Sequence, residues 1–292
     1  MNSTNYTEKF KGISTMETEF ENSGKPGNSV LTRLKKHVRK LVRVGAASWL
    51  ILLVLWQVIS LFSKPEYLPG PVATILGARE LLEDGSLVRF ILVSFGRVIA
   101  GWTLGNLIAI PLGLLIGRIR LVKEFIEPFI DFFRFIPAIA FITLFIMWFG
   151  IGEQSKVILI MYATSFIVMI NTAAGVLALD ENKIRAARSL GASELQILFH
   201  VIIPAAIPYI FTGVRLAMGN SFMAIVGAEM IASKEGVGYL IWTARLYFKT
   251  DWVFVGLFSL GLMGFFTDRL LREIGTRTMK RYGIKNEAKF GE

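Results

Sequence analysis

Residues 157–179 form a run of 23 residues without a single charged side chain. As an α-helix, rising 1.5 Å per residue, such a run is about 34 Å long, enough to cross the ~30 Å hydrocarbon core of a bilayer. Within lipid, every backbone N–H and C=O has to be satisfied by the protein itself, which leaves only helices or a closed barrel. Barrel strands would be about 10 residues long with alternating polarity, and this run has neither property. The chain is therefore read as an all-α integral membrane protein.

The same pattern recurs. Residues 44–63 and 98–117 carry no charge, and 125–151, 205–231 and 252–267 are apolar with isolated ionisable residues. This predicts six transmembrane helices within 44–272. The composition agrees: 53% of the residues are hydrophobic and only 18% charged, where soluble domains have about a quarter charged. Residues 1–30 are polar and read as a disordered cytoplasmic tail, 31–43 as a basic cytoplasmic flank, and 273–292 as a basic cytoplasmic tail. No short apolar segment with a cleavage site precedes residue 44, so no secretory signal is expected. Pro69-Gly70-Pro71 marks a turn before a short helix over 72–82, 150–156 reads as a tight turn, and 233–251 as an outer loop with a short helix.

Charge sets the orientation. With the N-terminus inside, the cytoplasmic segments 31–44, 118–123, 180–200 and 269–292 hold 19 Lys and Arg, against 7 in the outer segments 63–89, 152–156 and 231–251. This bias places both termini in the cytoplasm. It also accounts for the net charge of +10 without nucleic acid, because the basic residues flank the spans.

Several chemistries have no residues to carry them. The chain contains no cysteine and only two histidines, His37 in the basic flank and His200, so neither a metal site nor a Ser-His-Asp arrangement is expected. No G-x-x-x-x-G-K-[ST] loop occurs, so ATP hydrolysis is not expected in this chain. What remains is conformational work, by a transporter subunit, a lone secondary transporter or channel, or a membrane enzyme, and the last has no catalytic constellation to support it.

Residues 184–204 lie between the fourth and fifth spans. Asp180 to Asn182 suit a helix start, Gly191 a break, and Ser193-Glu194 a second start running toward Pro204. Ala186, Ala187, Gly191 and Ala192 leave a surface without bulky side chains that another protein could approach closely, with Arg185 and Arg188 on the exposed side. Packing of a plain re-entry loop would use the same small residues.

Within the spans, ionisable residues are costly and usually face a bundle interior. Arg97, near the outer end of the second span, could attract a small oxyanion or snorkel to the interface. Arg215 could pair with Asp131 or contact a carbonyl of a neighbouring helix. Glu229, at the outer end of the fifth span, suits a structural hydrogen bond. Asp131 and Arg134 suit a local ion pair. Asn171, Thr172, Asn220 and Ser221 serve either interhelical hydrogen bonds or a pore lining. The phenylalanines of 125–137 read as lipid-facing and packing residues.

The segment Arg185-Ala186-Ala187, three residues, Gly191, nine residues, then Val201-Ile202-Ile203-Pro204 resembles the EAA loop of permease subunits of ATP-binding-cassette importers. Arg185 stands where that pattern has an acid, and Ile203 where it has Leu. YLPGP, WFGIGEQSK, GVRLAMGNSFMAIVGAEMI, and GVGYLIWTAR with TDWVFVG resemble the sulfonate, taurine and nitrate branch of these permeases, in order along residues 68–272.

The resemblance implies a type I importer (MetI-like) permease fold in the bacterial cytoplasmic membrane. It implies a pathway for a small oxyanion such as an alkanesulfonate, with taurine, nitrate and bicarbonate as rivals. It also implies partners: two ATPase subunits that hold ATP and Mg, an extracytoplasmic substrate-binding protein, and a second permease copy forming a homodimer. The implied ATPase-coupling residues are Arg185, Ala186, Ala187, Arg188, Gly191, Ala192, Ser193 and Pro204. The pathway candidates are Arg97, Asn171, Arg215, Asn220, Ser221 and Glu229.

Overall fold

A computed structural model describes residues 47–281, and the described residues are helical throughout apart from turns and connections. The tail at 1–30, the basic flank at 31–43 and the end of the C-terminal tail lie outside them. The chain divides at Phe62 into two compact units. In the first, helix α1 (Ala47–Leu61) is apolar and 15 residues long. The second holds everything that follows.

Its centre is three long helices: α3 (Ser86–Arg118), α6 (Glu153–Leu177) and α9 (Ile203–Ala232). Along α3 a small residue recurs every fourth position: Gly101, Gly105, Ala109, Gly113 and Gly117. That spacing lines one face, and small side chains let two backbones approach without a hydrophobic driving force between helices. The face meets α6, where β-carbons added at Gly101 and Gly113 would fall 2.5 and 2.6 Å from the Cβ atoms of Ile160 and Thr172. Across α6, α9 runs the other way. Gly175 of α6 lies against Tyr209, and Gly213 of α9 against Asn171. The core shared by the three holds Val98, Leu159, Ile160, Ile225 and Ala228, all fully buried.

Because α3 and α6 are parallel, the chain between them has to return to the end where α3 began. It does so as a broken pair within the stretch 125–151 expected to hold the third span. Helix α4 (Arg120–Phe133) and helix α5 (Ile142–Phe149), the latter preceded by a 3-10 turn (Ala138–Phe141), meet at an angle of 89°. Pro137 sits at the break and cannot donate a hydrogen bond to the carbonyl four residues earlier. Helix α4 is strongly amphipathic. Its charges pair along its exposed side, Arg120 with Glu124 at 2.7 Å, while Ile130 is buried.

The fifth span departs from expectation. Pro204 does not end the preceding helix: α8 (Glu194–Ile197), a π turn (Leu198–Ile202) and α9 form one apolar rod from Glu194 to Ala232. Widening the turn before Pro204 accommodates its ring and missing N–H. After α9 a short helix α10 (Val237–Leu246) packs at the starting end of α3, and α11 (Thr250–Arg281) runs antiparallel to α9, with Gly264 beside Phe222 and Gly275 beside Phe211. Helix α11 extends past residue 272, so the tail predicted to start at 273 begins as helix. Helix α2 (Pro71–Glu83), starting where the Pro-Gly-Pro turn predicts, packs Leu81 against Leu87, Leu240 and Val255.

Among the described residues, four helices are long and apolar enough to cross a membrane, and five if the broken pair counts as one span. Helix α7 (Glu181–Ser189) is left at the end of the bundle where α3 and α6 finish.

Candidate functional site

At that end the chain builds a helix, a sharp bend and a second helix. Asp180 caps α7 by accepting the Asn182 N–H at 2.9 Å, and Glu181 adds an acid to the first turn, where the helix dipole favours it. The helix closes with a Schellman pattern. The Ala192 N–H reaches the Ala187 carbonyl at 3.1 Å and the Gly191 N–H reaches that of Arg188 at 3.0 Å. Gly191 takes the left-handed conformation (φ +82°) that this motif reserves for glycine. Two residues on, Ser193 opens α8 with a capping box. It accepts the Gln196 N–H, and its own N–H donates to the Gln196 side chain at 2.8 Å.

The bend is tied to the bundle in two ways. Ile184, Ile197 and Ile202 are buried with Val176 and Ala206, and Ala187 and Ala192 pack against them. Glu194 bridges Arg188 across the bend at 2.6 Å and Arg118, the last residue of α3, at 3.0 Å. This corrects the expected surface free of bulky side chains. Ala187 and Ala192 face the protein's own core, while Leu190, 88% exposed, stands beside Ala186 and Gly191 on the outward side. Arg185 is exposed and pairs with Glu181 one turn earlier at 2.8 Å.

At the opposite end, Arg97 does not snorkel to an interface but is buried among acids. Only 6% exposed, it donates from Nη2 to Glu153 at 2.6 Å and from Nη1 to Glu229 at 2.7 Å. Lys156, also buried, donates to Glu153 at 3.0 Å. The three buried charges, Arg97, Lys156 and Glu229, are thus paired among themselves and with the exposed Glu153, joining α3, α6 and α9, as buried charges require. Glu229 is fully buried and hydrogen-bonded, as a structural role demands.

The remaining candidates scatter along the bundle. Arg215 pairs with Asp268 of α11, Nη2 to Oδ2 at 3.0 Å, and not with Asp131. Asp131 pairs with Arg134 at 3.1 Å as their spacing predicts. Asn171 and Ser221 donate within their own helices, to Ile167 and Ala217. Asn220 crosses from α9 to the Ala163 carbonyl of α6 at 2.6 Å. It also lines a cleft of about 530 Å³ under the α4–α5 break, walled by Ile139, Tyr162, Phe166 and Met223, with Arg134 at its edge.

This arrangement can be set against known proteins. The binding-protein-dependent transport system inner membrane component family matches residues 109–280, more than half of the chain. The chain belongs to that family. An ABC transporter permease protein of Brucella melitensis is 39% identical over 234 residues, 80% of this chain and 92% of that protein. The taurine transport system permease protein of Escherichia coli K12 is 33% identical over 270 residues, 87% of this chain and 96% of that one. Among solved structures, an inward-facing form of the MetNI methionine ABC transporter superposes with a TM-score of 0.55, at 18% identity over 67% of this chain and 95% of that one. The fold is that of these type I permeases.

The stretch shared with the inner membrane component family takes in the whole bend, from Asp180 to Pro204. It also takes in residues that sequence reasoning passed over: Glu153, Lys156 and Asp268. Each carries a signal in hindsight. Glu153 and Lys156 are three apart at a helix start, and Asp268 lies one turn before Arg272 in a span. Ser94 of α3, whose hydroxyl donates to the Glu229 carboxylate at 2.8 Å, has no such signal, since a lone serine in an apolar helix is usually bonded to its own backbone.

Proposed function

We propose that this permease subunit forms the translocation pathway of an ATP-driven importer for a small oxyanion. An aliphatic sulfonate is the first choice, with taurine, nitrate and bicarbonate as rivals. Six helices, counting α1 and the α4–α5 pair, cross the bacterial cytoplasmic membrane with both termini inside. A second copy of the chain completes the pathway, and a substrate-binding protein delivers the anion at the outer end. Two separate ATPase subunits bind ATP and Mg, and each seats one bend of 180–204. Support for the substrate class comes from the taurine relative and from the motifs that resemble the sulfonate and nitrate branch.

The observation that carries this reading is the construction of the bend. Its helix is capped at both ends, its inward face is anchored by Ile184, Ile197 and Ile202, and Glu194 ties it to the end of α3. Meanwhile Arg185, Ala186, Leu190 and Gly191 stay exposed. A push on the outward face is passed to α3 and, through the unbroken rod, to α9. A partner shifts a two-state equilibrium only by its differential affinity for the two states, so the ATPase has to hold this bend differently before and after closure.

The test is copurification of the tagged chain from gently solubilised membranes. A stoichiometric ATP-binding subunit is expected, and Ala186→Trp, on the exposed face, is expected to remove it while the chain stays at its normal level in the membrane. A stable oligomer without an ATPase would overturn the reading and favour a secondary transporter or channel working alone.

A further inference from the structure

Helix α10 is ten residues long, and its N-cap is Gly236, which has no side chain to cap it. The first N–H groups of a helix have no partner within it, and isolated helices this short are marginal. Here the caps come from other helices. The Val237 N–H donates to the hydroxyl of Ser94 on α3, and the Gly238 N–H to a carboxylate oxygen of Glu229 on α9, both at 2.8 Å. The Ser94 hydroxyl in turn donates to Glu229, at 2.8 Å from each carboxylate oxygen. A carboxylate also sits well at the positive end of the helix dipole.

The loop leading into α10 is held by the same group. Arg97, already bonded to Glu229 and Glu153, donates to the Glu235 carbonyl at 2.8 Å and the Ser233 hydroxyl at 3.2 Å. Arg89 pairs with the Glu235 side chain. Gly236 adopts φ +112°, and a β-carbon there would run into the Glu229 carboxylate. One fully buried acid therefore touches the start of α10, the loop before it and the arginine that joins α3 to α6.

We propose that Glu229 is a positioning residue, the distal N-cap of α10, which with Ser94 and Arg97 makes the starting ends of α3 and α6, the finishing end of α9, and α10 one rigid block. Parting α3 from α9 would separate Arg97 from Glu229 and leave that buried acid uncompensated, and lifting α10 away would strip the Val237 and Gly238 N–H groups of their acceptors and Glu229 of a donor, both unfavourable. An opening at this end has to carry α10 along with α9 rather than peel it away. The inference concerns the chain alone, and its test reads side-chain accessibility and not transport, so it stands or falls independently of the importer reading.

The chain has no cysteine, so one introduced thiol reports alone. Leu240→Cys places it on the buried face of α10, and Val176→Cys in the core at the other end of the bundle; the native side chains are 3% and 5% exposed. Both are expected to react slowly with a soluble maleimide in the purified full chain. Adding Glu229→Ala is expected to speed labelling of Leu240→Cys about tenfold or more and to leave Val176→Cys unchanged, the pattern of local opening. Ser94→Ala, which keeps every charge and the backbone but removes the acceptor of the Val237 N–H and a donor to Glu229, is expected to do the same. It decides the matter if Glu229→Ala fails to reach the membrane. Continued protection of Leu240→Cys, or equal acceleration at both positions, would overturn the proposal.

Discussion

Gly113 of α3 lies so close to Thr172 of α6 that a β-carbon on the glycine would fall 2.6 Å from the threonine Cβ. The pairing repeats with a constant offset of 59 residues: Gly101 with Ile160, Gly105 with Thr164, and Gly117 with Val176. A constant offset means that the two helices run parallel and in fixed register. The Thr172 hydroxyl is buried without a partner in this contact, so close packing has been kept at the expense of a hydrogen bond.

Gly113→Val is therefore expected to destabilise the bundle by about 1–3 kcal/mol through overpacking. Gly96→Ala, on the same helix with nothing within 4 Å of the added carbon, should be neutral or slightly stabilising. Thermal unfolding of the purified variants in one detergent checks both. Equal melting temperatures for the two would remove the parallel α3–α6 seam as the reason for the glycine spacing.

Gly191 makes a separate prediction about the bend. Its left-handed backbone is closed to β-branched side chains at a cost of about 1–2 kcal/mol, while asparagine tolerates it. Space is not the constraint, since an added β-carbon meets nothing within 4 Å. Gly191→Val is expected to loosen the segment, seen as faster proteolysis within 180–204 in the purified chain, and Gly191→Asn is expected to behave nearly as the parent. Similar cleavage of both would show that the bend does not depend on that conformation.

How much of this was legible beforehand depends on range. The uncharged run at 157–179, the Asp180 and Ser193 helix starts, the Gly191 break, the short helix after the Pro69-Gly70-Pro71 turn and the one within 233–251 follow from local spacing and turn chemistry, and the structure has them. The Asp131–Arg134 pair was legible for the same reason. Long-range partners were not. Nothing local says that Arg97 meets Glu153 and Glu229, 56 and 132 residues away, or that Arg215 meets Asp268 rather than Asp131. The inward turn of Ala187 and Ala192 was missed because small residues fit a protein's own core as well as a partner's approach. The sharp break in the third span was hidden because hydropathy counts α4 and α5 together and carries no direction.

The Arg215–Asp268 pair joins α9 to α11 part-way along both helices, with Arg272 a further 3.5 Å from the same aspartate. Within a span, a single uncompensated charge is costlier than a missing pair. Arg215→Gln and Asp268→Asn are each expected to lower the amount of folded chain in the membrane. The double variant is expected to recover part of the loss, with a coupling of at least about 0.5 kcal/mol in melting experiments. Losses that simply add would show that the two side chains act independently.

The break between α4 and α5 supplies the last prediction. Pro137 has no N–H, so the Phe133 carbonyl four residues earlier loses the donor that an unbroken helix would supply. The Tyr162 hydroxyl, from α6, donates to that carbonyl at 2.8 Å. The same ring lies against Phe141 at 4.7 Å between centroids and lines the cleft beside Asn220. Removing the hydroxyl alone, in Tyr162→Phe, keeps the ring packing and leaves the carbonyl with the 3.1 Å bond from the Ile136 N–H. The expected loss is about 0.5–1.5 kcal/mol, typical of one hydrogen bond. In a Pro137→Ala background, where residue 137 regains a donor, the same substitution is expected to cost less. If Tyr162→Phe costs the same in both backgrounds, the tyrosine is not standing in for the proline's missing N–H, and the break has to be held by packing alone.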